Sequence, residues 1–496
     1  MQTLATSNRQ QSWLSWFLRG LLILGFLVLI GRLFDLQIIK GNYYRNLSEG
    51  NRIERIKIKA ERGKILARGG EYLNGPDFAH ITGYLQETNE SEVGKIDPKC
   101  IEKGAYKLGQ ILGRGGIQEE YNCILTGVDG EELVEVNSMG ERIRTIGTKS
   151  PMVGSDVKTN IDFWLQKTIA KEMNGKLGSV VATDKNGQIL ALFSSPTYNP
   201  ADIIPSLNNP DLPLFNRAIG GLYHPGSIFK PLVAIAALET GNIDKNYRYT
   251  DTGVVTTESI YGNYSYSNWY FTQYGGREGE IDLTKALARS TDTFFYKIGE
   301  AVGINGLVDW MKKFGLTKLT DIDINGELLS LIPSPDWKLK VKKEKWFLGN
   351  TYHFSIGQGD LALTAVGIHR ADLVVTNNGK LCSLKIVGET KCTDLKIKDE
   401  NINLVKEGMK KACSTGGTGF TFFDFTEKHN GLEVGCKTGT AETNEDDKTH
   451  AWFFSFAPID NPEIILTVMV EKSGEGSKVA GPIARKIMDE YFKVRH

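Results

Sequence analysis

The chain has 496 residues, 41% of them hydrophobic, so it is long enough for two or three domains with at least one large core. Lysine plus arginine and aspartate plus glutamate both number 59, which argues against a nucleic-acid partner and against a polyanionic substrate. The 7 histidines and 6 cysteines form neither a His-Glu-x-x-His nor a Cys-x-x-Cys pattern, so we expect no catalytic metal and no cofactor.

A membrane anchor is predicted near the N-terminus. Residues 20–31 (GLLILGFLVLIG) are wholly apolar and have apolar flanks, which predicts one spanning helix over residues 20–39. A cleaved signal peptide is the alternative, but bulky and charged residues follow where a small-residue cleavage site would stand. Arg9 and Arg19 precede the apolar run, which predicts that residues 1–19 are cytoplasmic and that the bulk of the chain lies outside the cytoplasmic membrane.

The cysteines are consistent with that compartment. Their even number fits an oxidising space, and Cys382 and Cys392 are our candidate for a short disulfide bridge. Six free buried thiols fit almost as well, so the pairing stays open at this point.

The first part of the chain after the anchor differs in character from the rest. Residues 40–150 are charged, rich in glycine and poor in helical periodicity, with short runs typical of strands, which indicates a β-rich module. Residues 151–173 predict a linker and strand that lead into a helix, so we place a domain boundary at residue 151.

The remainder, residues 151–496, predicts an α+β domain. Two β-prone runs surround Asn186 and Gly187, a strong hairpin signal, while residues 225–425 are mostly helical by periodicity. Three more strands and a C-terminal helix are predicted at residues 432–440, 451–459, 463–473 and 482–494. We therefore expect an antiparallel sheet built from both ends of the domain, with a helical insert.

One short stretch in this domain, HPGSIFKPL, has the chemistry of a nucleophile. A helix that runs through Pro231 must begin within about four residues before it, which places Ser227 at the helix N-terminus. Lys230 lies three residues on, on the same face, where a base would stand. The ordinary alternative is a helix-capping serine, because Ser-x-x-Lys also occurs by chance.

Two further polar clusters follow in the chain. RSTD contains Ser290 and Asp292, and KTGT begins at Lys437 on a predicted strand. Taken alone, Ser290 reads as a helix cap or buried hydroxyl, and the Lys437 cluster as an ordinary solvated strand. Three clusters in one order outweigh these separate readings.

Ser-x-x-Lys, then Ser-x-Asn or a variant, then Lys-Thr-Gly is the signature of penicillin-binding proteins and serine β-lactamases, which this sequence therefore resembles. Residues 32–65, 115–147 and 346–364 are also similar to the juxtamembrane segment, the end of the pedestal and an elongation-type stretch of class B penicillin-binding proteins. The resemblance implies a transpeptidase fold with a five-stranded antiparallel sheet in residues 151–496. It also implies a pedestal domain at residues 40–150.

The resemblance implies a peptidoglycan D,D-transpeptidase that is acylated by β-lactams. Ser227 would be the nucleophile, Lys230 the base, and Ser290 a proton relay between Lys230, Lys437 and the leaving amine. On the strand, Lys437, Thr438 and Thr440 would hold the terminal carboxylate of a stem peptide ending in D-Ala-D-Ala. Gly439 would allow close backbone approach, and the backbone amides of Ser227 and Thr440 would form the oxyanion hole.

The sequence departs from the family pattern in three places. Asp292 stands where most members of the family have asparagine. Aspartate at this position resembles the elongation-type branch. Cys436 replaces a small residue before Lys437, and we expect a small buried strand residue in preference to a reactive thiol. The head segment between residues 67–73 and 79–85 is short, which argues against contact with the membrane-embedded glycosyltransferase partner that the resemblance implies.

Several alternatives stay open. A D,D-carboxypeptidase or a β-lactamase would share the motifs, and a non-catalytic β-lactam-binding scaffold or sensor would share the fold. The sequence does not distinguish a role in elongation from one in division, nor does it identify the acceptor amine or the oligomeric state.

Overall fold

The computed structural model describes residues 13–137, 139–259, 262–443, 445 and 448–493. These fall into two compact units. One unit combines the chain up to Arg62 with Gly127–Gly154, and the other combines Gly63–Thr126 with the chain from Ser155 onward. Arg9, part of the argument for the orientation of the anchor, lies outside the described residues.

The first unit contains the predicted membrane anchor. Helix Trp13–Phe34 continues as a π-helical turn, Asp35–Ile39. Over the 27 residues Trp13–Ile39, it is the one helix of the described chain that is long and apolar enough to cross a membrane. The helix includes residues before the predicted start at residue 20, because WLSWFL is itself apolar and helix-compatible.

The same unit ends in a small sheet. After helix Gly41–Arg52, strand Ile53–Ile58 pairs with Gly130–Val136, which pairs in turn with Arg142–Lys149. All pairings are antiparallel. Strands from both sides of residues 63–126 therefore meet in one three-stranded sheet.

The second unit is built on the five-stranded antiparallel sheet that the sequence predicted. Its strands lie in the order Gly435–Glu442, Thr449–Ala457, Ile464–Val470, Gly178–Thr183 and Ile189–Ser195. Side chains alternate between two buried clusters, one on each face, as the period of two in a strand requires. Helices Phe163–Glu172 and Ala480–Lys493 cover one face, while Ala365–Thr376 packs on the other. The α+β prediction is confirmed.

The other helices of this unit surround the sheet or lie in the insert. They are Ala79–Thr82, Gly116–Glu120, Asn122–Leu125, Arg217–Gly220, Lys230–Glu239, Trp269–Tyr274, Leu283–Arg289, Asp292–Lys313, Pro335–Val341, Leu348–Ser355, Asp399–Ala412 and Phe425–Lys428. Short 3-10 turns are Pro76–Phe78, Ile101–Lys103, Ile204–Ser206, Gly226–Phe229 and Phe420–Phe422. Strand pairs are Ile65–Leu66 with Val157–Lys158, Tyr84–Glu87 with Ile111–Arg114, Tyr249–Asp251 with Gly279–Ile281, Val254–Ser259 with Gly262–Ser267, and Lys380–Cys382 with Cys392–Asp394.

The cysteines form three disulfides. The predicted Cys382–Cys392 bridge is confirmed, and Cys100 pairs with Cys123. Cys436 is a buried strand residue, as expected, and its sulfur is bonded to Cys413, a pairing that the sequence did not indicate. Helix Asp399–Ala412 packs against strand Gly435–Glu442 and brings the two together, a proximity that the linear sequence does not reveal.

Candidate active site

Ser227 lies in the 3-10 turn Gly226–Phe229, immediately before helix Lys230–Glu239. Pro231 is the second residue of that helix, as its missing amide hydrogen requires. Gly226 has a φ of +58°, and a Cβ there would come within 2.7 Å of the Thr440 carbonyl oxygen. Glycine at position 226 therefore allows the turn to lie directly against the strand that carries KTGT.

The second motif lies at a junction between two helices. Ser290 ends helix Leu283–Arg289 in the left-handed region, with a φ of +55°, an uncommon conformation for a residue with a side chain. Asp292 then begins the next helix, and its backbone N–H donates to Asn268 Oδ1 at 3.1 Å. The backbone N–H of Trp269 donates to Asp292 Oδ2 at 2.9 Å. The Trp269 contact, which comes from a separate helix, fixes the orientation of the carboxylate. The Asn268 contact fixes the backbone of Asp292.

The two lysines and the serine of the motifs meet in one buried cluster. Lys230 Nζ donates to the Ser290 carbonyl at 2.8 Å, to Ser290 Oγ at 3.2 Å and to Asp292 Oδ1 at 2.6 Å. From the opposite side Lys437 Nζ donates to Ser290 Oγ at 2.7 Å. Because both lone pairs of the Ser290 oxygen accept from ammonium groups, its hydrogen is free to be donated elsewhere.

The Ser227 hydroxyl has a different environment. It has no hydrogen-bond partner among the described side chains, and the Lys230 ammonium group is directed to Ser290 and Asp292 instead. Ser227 is half-buried and lines a cavity of about 480 Å³, together with Ser290, Asp292, Thr438 and Thr440. The structure thus leaves this hydroxyl open to a ligand, with the buried lysines behind it.

Burial acts on both lysines in the same direction. The pKa of Lys230 is lowered by desolvation, and the charge and hydrogen bond of Asp292 act against that shift. The pKa of Lys437 is lowered well below its usual value, first by burial and then by the charge of Lys230. Both side chains are 0% exposed. Two cations so close together without solvent favour the loss of a proton from one of them.

The third motif lies on the edge strand Gly435–Glu442. Thr438 Oγ1 donates to Thr418 Oγ1 at 2.8 Å, and Gly476 N–H donates to Thr440 Oγ1 at 3.3 Å. A Cβ at Gly439 would lie 2.9 Å from Trp452 Cβ and 3.1 Å from the Pro225 carbonyl oxygen. Those separations are too short for a side chain, so only glycine fits where the strand meets the segment before Ser227.

Four residues of the site and its surroundings had no signal in the motifs. Thr418 lines the cavity and contacts Thr438, and Asn268 with Trp269 holds Asp292. Thr418 stands in the glycine-rich run STGGTG, a loop signal that does not indicate contact with the KTGT strand. Asp372, a buried carboxyl beneath the sheet, lies in an apolar helical pattern that predicts only core packing.

One cluster in the described part of the chain has the composition of a metal site. Cys100, Glu102 and Cys123 bring their ligand atoms within 4.8 Å of one another. Because the two sulfurs are joined in a disulfide, they do not offer the thiolates that a metal ion requires.

The chain matches two protein-family descriptions. "Penicillin binding protein transpeptidase domain" matches residues 178–489, and "Penicillin-binding Protein dimerisation domain" matches residues 70–159. The first match includes all three motifs of the cluster around Ser290.

Individual proteins are similar over most of the chain. Peptidoglycan D,D-transpeptidase MrdA of Haemophilus influenzae is 32% identical over 463 residues, which cover 86% of this chain and 69% of that protein. The Escherichia coli K12 protein of the same name is 30% identical, over 84% of this chain and 70% of its own length. The structure of Pseudomonas aeruginosa PBP2 in complex with WCK 5153 has a TM-score of 0.74 and 28% identity, and the match covers 88% of this chain and 96% of that one.

Proposed function

This chain belongs to the penicillin-binding protein transpeptidase family, and we propose that it is a peptidoglycan D,D-transpeptidase that cross-links stem peptides ending in D-Ala-D-Ala. Its sequence resembles the elongation-type branch, so we assign it to cell-wall synthesis in elongation and cell shape. The observation that carries the proposal is the shared contact of Lys230 and Lys437 with the Ser290 hydroxyl, beside the cavity that Ser227 lines. β-Lactams would acylate the same serine.

In the proposed reaction, Ser227 Oγ attacks the carbonyl carbon of the penultimate D-alanine. Lys230, as the neutral amine, takes the hydroxyl proton, and the bond from that carbon to the nitrogen of the terminal D-alanine breaks. Ser290 passes its proton to the departing amine and takes up the proton that Lys230 holds, so free D-alanine leaves, Lys230 is neutral again and an ester remains on Ser227. An acceptor amine then attacks the ester carbonyl and loses a proton to Lys230. The new amide forms as the bond to Ser227 Oγ breaks, and Lys230 returns the proton to that oxygen.

The KTGT strand would bind the donor peptide. Lys437, with Thr438 and Thr440, would hold the terminal carboxylate, and the backbone amides of Ser227 and Thr440 would stabilise the oxyanion. The close approach at Gly226 and Gly439 supports this role, because it brings the turn that carries Ser227 directly against the strand that carries KTGT. The stem peptide would lie along the strand edge by main-chain hydrogen bonds.

The domain assignment is also a proposal. We assign residues 1–19 to the cytoplasm, 20–39 to the anchor, 40–150 to a shortened pedestal and 151–496 to the transpeptidase domain. The apolar helix Trp13–Phe34 supports a single-pass anchor, with the catalytic domain outside the cytoplasmic membrane. A membrane-embedded glycosyltransferase partner remains a prediction, against which the short head segment argues.

The test is a product assay on the full-length protein in detergent. A stem pentapeptide donor and a stem-peptide acceptor amine are supplied together, and products are resolved by mass spectrometry. We expect a cross-linked dimer and released D-alanine with the wild type, and neither with Ser227→Ala. Ser477→Ala, which changes another half-buried serine of the same cavity, is the matched control and should behave as the wild type. A shortened peptide without a dimer would assign a carboxypeptidase instead, and no product at all would contradict the enzyme assignment.

A further inference from the structure

A buried carboxyl group lies outside the three motifs. Asp372 is 1% exposed on helix Ala365–Thr376, and neither of its carboxyl oxygens has a hydrogen-bond partner among the described residues. An ionisable group buried without a partner destabilises the folded protein, so its presence calls for a reason.

The strand register places this helix on the face of the sheet to which the Lys437 side chain belongs. In the antiparallel sheet Lys437 is opposite Phe454, and Phe454 is opposite Thr467, so the three side chains lie on one face. His369 Nδ1 lies 2.8 Å from Thr467 Oγ1, and its ring centroid lies 6.4 Å from that of Phe454. Asp372 follows His369 by three residues and so lies on the same side of the helix. The carboxyl is therefore in the layer on which the Lys437 side chain lies.

The two groups influence each other electrostatically. Burial raises the pKa of Asp372 well above its usual value, and the charge of Lys437 acts against that rise. Conversely, the charge of Asp372 raises the pKa of Lys437, against the effects of burial and of Lys230. In a coupled pair of this kind each charge favours the opposite charge on its neighbour.

No other charge on the neighbouring elements is available to Asp372. The pKa of His369 is lowered to about 3 by burial, so that ring is neutral at ordinary pH. The remaining titratable groups on the elements packed against this helix either have partners or are exposed. Those with partners are Lys230 with Ser290 and Asp292, Arg217 with Glu471, Glu239 with Asn401, Lys406 with Asn378, Lys410 with Glu433, and Arg370 with the carbonyls of Gly315 and Leu319. The exposed ones are Lys380, Asp399, Glu400, Glu407 and Lys411.

We propose that Asp372 is a positioning residue of this site, which stabilises the proton on Lys437 and thereby sets the highest pH at which the KTGT strand binds a carboxylate. The proposal rests on the proposed function, in which Lys437 holds the carboxylate of the substrate or of a β-lactam. Asp372 would act on the charge of Lys437 and would not contact the ligand itself.

The test is the pH profile of the second-order acylation rate constant of the full-length protein with a chromogenic β-lactam. Asp372→Asn keeps the shape of the side chain and removes its charge, so Lys437 should lose its proton at lower pH. The alkaline limb, which is the part of the profile where the rate falls as the pH rises, should therefore move to lower pH by about one unit. Below that limb the rate should equal that of the wild type. Asp372→Ala, a second variant that removes the charge with a smaller side chain, should show the same shift.

Two controls make the result specific. Glu327→Gln removes a different partly buried carboxylate, which accepts from the Thr320 N–H at 2.9 Å, and should leave the profile unchanged. With the methyl ester of the β-lactam, which has no carboxylate, the difference between Asp372→Asn and the wild type should vanish. An alkaline limb that stays in place in the Asp372 variants, or moves to higher pH, would overturn the inference. Failure of the wild type to be acylated would instead refute the proposed function.

Discussion

Lys230 Nζ lies 2.6 Å from Asp292 Oδ1 in the buried centre of the site. The carboxylate favours the protonated form of the lysine, whereas burial favours the free amine, and the pKa of Lys230 is lowered because burial is the larger effect. Since a base must lose its proton before it can accept one, Asp292 limits the pH at which acylation begins.

Replacement of Asp292 by asparagine should therefore extend activity to lower pH. Without the carboxylate charge the pKa of Lys230 falls further, so the acidic limb of the acylation profile should move down by about one unit. The measurement is the acylation rate constant between pH 5 and 8. Asp309→Asn, an exposed position beyond the kink at Gly303 that interrupts this helical segment, should not move the limb. An unchanged or upward-shifted limb in Asp292→Asn would mean that Lys230 is not the base.

Ser290→Ala should slow acylation by ~100- to 10,000-fold, because it removes the hydroxyl that joins the two lysines and relays the proton. Thr291→Val is the matched control. The Thr291 hydroxyl is 0% exposed and has no hydrogen-bond partner among the described residues, so its loss should leave the rate near that of the wild type. Stopped-flow acylation of both variants decides the point. Similar rates for Ser290→Ala and the wild type would exclude the relay.

Gly439→Ala should damage the site through geometry alone. The added Cβ would meet Trp452 Cβ at 2.9 Å and the Pro225 carbonyl oxygen at 3.1 Å, which forces the strand away from the Ser227 turn. We expect a loss of about 1 to 3 kcal/mol in the free energy of unfolding and a drop of about 100-fold in acylation. Thermal unfolding and acylation rates test this. A variant with wild-type values in both would show that the close approach is not required.

The Cys413–Cys436 disulfide should stabilise the protein and the position of Lys437. It closes a loop with a sequence separation of 23, for which the loss of chain entropy predicts about 3 kcal/mol. The double variant Cys413→Ala, Cys436→Ala should unfold at lower temperature and acylate more slowly. The control Cys382→Ala, Cys392→Ala opens a bridge of separation 10 between two short strands, and should retain the acylation rate. Equal acylation rates in the two double variants would contradict a role for Cys436 at the site.

Much of the fold was predictable because it depends on local patterns. Asn186 and Gly187 mark the hairpin between Gly178–Thr183 and Ile189–Ser195, and apolar runs mark the other three strands. The strand boundaries were less accurate. Residues 432–440 were predicted, whereas the strand is Gly435–Glu442, because its far end is determined by pairing of Glu442 with Thr449.

The parts of the site that the sequence did not reveal depend on contacts between distant segments. Cys436 pairs with Cys413 only because a helix packs against its strand. Asp372 interrupts an apolar helical face, and its relation to Lys437 follows from the register of three strands. The sequence indicates that Lys230 lies on the same helical face as Ser227, but it does not show that the ammonium group contacts Asp292, which Asn268 and Trp269 hold in place.

The most direct test of the account is intact-mass spectrometry of the full-length protein after treatment with penicillin, followed by peptide mapping. We expect one covalent adduct, located on Ser227, that is absent in Ser227→Ala and present in Ser477→Ala. An adduct on any other residue, or one that persists in Ser227→Ala, would contradict it.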